Sequence, residues 1–166
     1  QAYMEGDYFP FCVEANVNRH MYILNYPFCF CHELSHLHGY IYEDEANFLA
    51  FAACVSSEDI FFQYSGCLGV LNYVINAYMR STPTTSDEYY ASLPHTNALV
   101  NTDNIFLTRE MWDEIDKKSV IATETVTNIS TTFTDTTLKI NGVEDGMASY
   151  GRVCALLLQY YDGILY

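Results

Sequence analysis

The string His32-Glu33-Leu34-Ser35-His36 constrains this chain more than any other feature. Two histidines four residues apart share one face of an α-helix and lie one above the other. Imidazoles so placed can supply two corners of a tetrahedral zinc site. Glu33 lies one residue on, about 100° round the helix, beside the ligand pair but not in it. From there its carboxylate can act as general base on a water activated by the metal. The flanks suit a helix: Pro27 has the fixed φ of a first turn, and Gly39 is a natural terminator. A helix is expected from about Pro27 to His38. The competing reading is a pair of core histidines beside an exposed glutamate. It is disfavoured by the short helix framed by Pro and Gly and by the acidic helix that follows at once.

A third ligand must come from elsewhere, and His38, Tyr42, Glu43 and Glu45 lie just downstream. His38 points to a different face from His36. Tyr42 stands where H-E-x-x-H-x-x-G-x-x-H enzymes place a third histidine, and Gly39 copies the glycine of that pattern, but tyrosine is a poor zinc ligand. Glu43 has the stronger case, with Asn47 four residues on and on the same face. That pairing offers a carboxylate for zinc and a hydrogen bond to a ligand histidine. Glu45 projects nearly opposite. The plainer role for Glu43 is an acid at a helix N-terminus.

Around this motif the chain reads as one mainly helical domain, residues 1–166, with at most a short edge strand or hairpin. Residues 8–26 alternate and carry turn formers, which implies an extended segment. A second helix is expected over 43–55, apolar nearly all round and therefore buried. A third is expected over Glu58 to Arg80, stopped by Pro83. Residues 81–104 read as loop, with one short helix near 88–92. Thr108 can cap a helix, and Trp112, Ile115, Val120, Ile121, Val126 and Ile129 continue at helical spacing toward 138; the Thr-rich stretch from Thr123 to Thr137 has β propensity instead, and periodicity favours helix. Asn141-Gly142 marks a turn, and a last helix covers Met147 to Tyr161.

Composition narrows the partners. A net charge of −14 with seven Lys and Arg argues against nucleic acid and against an anionic membrane surface. A neutral or cationic peptide is not repelled. The six cysteines include no C-x-x-C pair and mostly lie in apolar runs, so mostly reduced thiols are expected, with the even count leaving disulfides as the alternative. The chain begins at Gln1, as a trimmed or processed product would, and no apolar run of membrane-spanning length occurs.

The run from His32 to Gly39, followed by Glu43-Asp44-Glu45-Ala46-Asn47-Phe48-Leu49-Ala50, resembles an uncharacterised bacterial family of zinc-peptidase-like membrane proteins. So do Pro10-Phe11, Glu14-Ala15-Asn16-Val17-Asn18, Tyr64-Ser65-Gly66, Leu138-Lys139, Gly146 and Ser149-Tyr150. Glu43-x-x-Ala46-Asn47 is also similar to the E-x-x-A-D/N element of gluzincin peptidases, in which the glutamate is the third zinc ligand. Gluzincins usually place a longer insertion before that glutamate. The tight turn here keeps Glu45 as an alternative. The resemblance implies a zincin-like fold and a membrane anchor ahead of this domain, with the domain itself extracytoplasmic.

The expected activity is zinc-dependent peptide hydrolysis. Zn2+ would be held by His32, His36 and Glu43, with Glu33 as general base. Tyr150 is the oxyanion donor expected from the glycine-flanked start of the last helix, ahead of His38 and Tyr64. Residues 11–18 offer an edge on which a peptide substrate could pair, although Asn16 and Asn18 also suit turn caps. The rival reading, from another class, is a catalytically silent zinc-binding sensory or interaction domain.

Overall fold

The computed structural model describes residues 6–9, 14–81, 87–88, 91, 97–118 and 152–164. These residues form a mainly helical structure with one small hairpin. Strands β1 (Gly6–Phe9) and β2 (Glu14–Val17) pair antiparallel, with Gly6 opposite Val17 and Phe9 opposite Glu14. A 3-10 turn over Ile23–Asn25 leads into α1 (Tyr26–Leu37). The remaining helices are α2 (Glu43–Val55), α3 (Ile60–Ser81), α4 (Ala98–Asp103), α5 (Arg109–Lys118) and α6 (Val153–Tyr161).

Helix α1 is the centre of the fold. Its start has no side-chain cap of its own. Instead the Phe28 N–H, one of the donors that a helix N-terminus leaves unpaired, donates to Ser65 Oγ on α3 at 3.1 Å. Phe28 itself is buried with Ala50, Phe51, Cys54, Val70 and Leu157, which joins α1 to α2, α3 and α6. The neighbouring Cys29 faces a second cluster with Met21 and Leu107, flanked by Trp112 and Ile115 of α5. Adjacent residues thus anchor α1 to two cores at once. Small residues let the helices close on each other. A Cβ added at Gly66 would lie 2.6 Å from Cys54 Cβ, and one at Gly69 would run into the Phe28 ring.

Most expected elements are present, with shifts that have physical causes. The extended segment folds as the hairpin followed by the 3-10 turn. Helix α2 buries one face (Asp44, Ala46, Asn47, Ala50, Phe51 and Cys54) and leaves Ala53 exposed, so it is not enclosed all round. The stretch read as loop contains α4. Asn97, a residue that favours both turns and N-caps, accepts the Leu99 N–H at 3.0 Å and starts it. Thr108 Oγ1 accepts from Met111 N at 3.4 Å at the head of α5. The expected continuation of α5 through 138, the turn at Asn141-Gly142 and residues 147–151 of the last helix lie outside the described residues, as does most of the short helix near 88–92.

Cys29, Cys31, Cys54, Cys67 and Cys154 are free thiols. Among the described residues no helix is long and apolar enough to cross a membrane.

Candidate metal centre

The turn between α1 and α2 builds the site. Gly39, at φ 95, takes the left-handed conformation that glycine adopts at least cost. Tyr40 N then donates to Ser35 O at 3.1 Å and Gly39 N to His36 O at 3.0 Å. This paired closure of a helix end is a Schellman motif. It carries the Tyr40 carbonyl back over α1, where it lies 2.7 Å from His36 Nδ1. A carbonyl only accepts, so Nδ1 is the protonated nitrogen. In the neutral ring, Nε2 therefore keeps its lone pair.

That Nε2 faces the site. It lies 3.1 Å from His32 Nε2. Glu43, the first residue of α2, brings Oε2 to 3.3 Å from His32 Nε2 and Oε1 to 3.6 Å from His36 Nε2. The three ligand atoms all lie within 4.8 Å of one another. Donors about 2.0–2.1 Å from a tetrahedral zinc stand roughly 3.3–3.4 Å apart. The observed separations bracket that value, so two imidazoles and a carboxylate fit a metal ion here. The three side chains are 12–15% exposed, sheltered but within reach of solvent.

Electrostatics follow the same geometry. Burial opposes the charge on Glu43, yet hydrogen bonds and attraction from His32 and His36 hold its carboxyl at about 2, far below the ordinary 4.5. Burial likewise opposes charge on His36. The Glu43 carboxylate, the Tyr40 carbonyl and the charge of Glu33 outweigh it and raise the pKa above 6.5. Below the raised pKa of His36, its proton therefore supports in the metal-free protein a contact with Glu43 that a cation would otherwise bridge.

Glu33 is buried at 5% exposure, on the side of α1 that faces the hairpin. The expected trio of ligands is thus brought together, and Glu43 rather than Glu45 meets the histidines, while the charge of Glu33 is felt at His36. Other expectations are redirected. Asn47 is buried and donates to Tyr73 Oη at 3.4 Å, because its side of α2 packs on α3. Asn47 was expected to serve a ligand histidine; His32 Nδ1 is buried with no hydrogen-bond partner among the described residues. Tyr64 Oη donates to Asp103 Oδ2 at 2.9 Å and is engaged there. His38 and Tyr42 are exposed. Asn18 caps a turn by accepting the His20 N–H. Tyr150 lies outside the described residues. Two features had no sequence signal strong enough to single them out: the close passage of Gly6 over Glu33, and an ion pair at 3.0 Å between Arg152 and Asp44, next to Glu43.

A family model described as "Protein of unknown function (DUF3810)" matches residues 1–158. The chain belongs to this family. No curated protein and no solved structure matches it.

Proposed function

We propose that this domain is a zinc-dependent, gluzincin-like metallopeptidase with a zincin-like arrangement of α1 and α2. The observation that carries the reading is the convergence of His32 and His36 of α1 with Glu43 of α2, Glu33 standing next to His32 in the α1 sequence. Structural zinc sites close with four protein ligands, whereas catalytic sites use three and keep one position open. Among the described residues the cluster numbers three. When bound, zinc would polarise a peptide carbonyl and bring the pKa of water to about 7.

The chain's own groups do the rest. His36 is held in its ligating tautomer by the Tyr40 carbonyl. Glu33 takes the proton of the attacking water and passes it to the leaving amine. The carboxylate is close enough to His36 to raise its pKa. Tyr150 is assigned as donor to the developing oxyanion. The glycine-flanked sequence around it, Gly146 to Gly151, supports that role. The substrate is a neutral or cationic peptide, consistent with the net charge of −14, and it adds as an extended strand to the hairpin edge. Family resemblance supports a membrane-anchored full-length protein with this domain extracytoplasmic.

The test is hydrolysis of a mixed peptide library by zinc-loaded wild type and Glu33→Gln. The expected loss in kcat is about 100-fold or more, in the range of general acid–base catalysis. Equal cleavage by both rejects Glu33 as the base. Zinc binding with no cleavage by either favours a silent sensory or interaction domain.

A further inference from the structure

Strand β1 crosses α1 at Glu33. A Cβ built on Gly6 would fall within 2.6 Å of Glu33 Cγ and Cδ, and closer still to Oε1. Real Cβ atoms do not approach other heavy atoms so closely. All three atoms belong to the Glu33 side chain, so a side chain at position 6 can be accommodated only by moving Glu33 from its place. Gly6 is not required by backbone conformation: the positive-φ glycines among the described residues are Gly39 and Gly163. A glycine inside a strand weakens the strand and often marks a place where something must approach closely. Here the group that approaches is a carboxylate at 5% exposure, next in sequence to a metal-ligating histidine.

We infer that Gly6 is a positioning residue: its missing side chain is the space in which the Glu33 carboxylate is held. The backbone of β1 roofs Glu33, keeps bulk water from that side and limits its rotamers. The ligand trio is built by α1 and α2 and does not include this contact. Gly6 should therefore govern the base without governing the metal. This role rests on the peptidase reading.

The experiment compares wild type, Gly6→Ala, Glu33→Ala and the double variant. Gly6→Ala should keep zinc affinity, measured by chelator competition, within about 3-fold. It should lose about 100-fold in kcat on the peptide library with KM little changed, the scale of an ångström-sized misplacement. Stability of the metal-free proteins supplies a readout independent of turnover. Gly6→Ala should lower Tm by about 3 °C or more, and that loss should vanish when Glu33 is also alanine, because the clash is then gone. The same Tm loss in both backgrounds would overturn the contact. Zinc affinity falling in step with kcat would overturn the positioning role. Wild-type turnover by Gly6→Ala beside an inactive Glu33→Gln would overturn it while leaving the peptidase reading intact. Equal turnover by wild type and Glu33→Gln would remove the peptidase reading and this role together.

Discussion

Two of the contacts of His36 have opposite consequences. Its Nδ1–H is fixed on the Tyr40 carbonyl, and its Nε2 faces Glu43. The first is compatible with metal binding. The second is what a proton stabilises when metal is absent. A raised histidine pKa adds stability that is complete below the unfolded value of 6.5 and is lost as pH rises through the folded value. The lowered Glu43 carboxyl adds stability that is complete above 4.5 and is lost as pH falls toward about 2. The pair therefore supports the metal-free fold best between those limits. The denaturant midpoint of metal-free protein should be higher at pH 6 than at pH 9. Added zinc should stabilise more at pH 8 than at pH 6, since zinc must displace the proton. Midpoints that do not change with pH would contradict the pairing. Ligand choice is tested at the same scale. Glu43→Ala should weaken zinc binding by about 100-fold or more, at least the loss seen for removing supporting groups. Glu45→Ala should change it by about 3-fold or less. The reverse result would move the third ligand to Glu45.

Between α1 and α2 a five-residue turn brings Glu43 to His32 and His36, and Gly39 makes it possible. Gly39→Ala would strain the left-handed position by about 1–2 kcal/mol. It should also loosen the Tyr40 carbonyl from His36. Both Tm and zinc affinity should fall, and a drop in Tm with unchanged affinity would show that the turn does not set the ligand. This turn was legible in the sequence, because a glycine after a helical histidine pair allows few other readings. The bounds of α2 were legible for a similar reason: three acids open it, and they favour a helix N-terminus. The Asn47 partner was not. Spacing put Asn47 on the Glu43 face, but a helix face is wide, and α3 packing decides that the amide meets Tyr73. Helix α4 escaped notice because Asn97 reads equally as turn and cap, and only its bond to Leu99 N separates the two. Gly6 gave no signal at all. Its meaning lies in the register that brings one strand over Glu33, which arises from contacts distant in sequence.

At the scale of the molecule, α1 is clamped between two cores, one through Phe28 and one through Cys29. Such clamping fixes His32 and His36 before any ligand arrives, which limits the ordering that binding must impose. The Arg152–Asp44 pair ties the head of α6 to the head of α2, beside Glu43. Around this frame the chain carries a net charge of −14, a field that draws in cations and repels anionic partners. On the proposed reading this frame holds one zinc ion on His32, His36 and Glu43. The most direct test of that claim is the metal content of protein purified without added zinc, measured per chain for wild type and for Glu43→Ala. Wild type should carry about one zinc per chain and the variant far less. Wild type that carries no zinc, and takes up none when it is supplied, would contradict the claim.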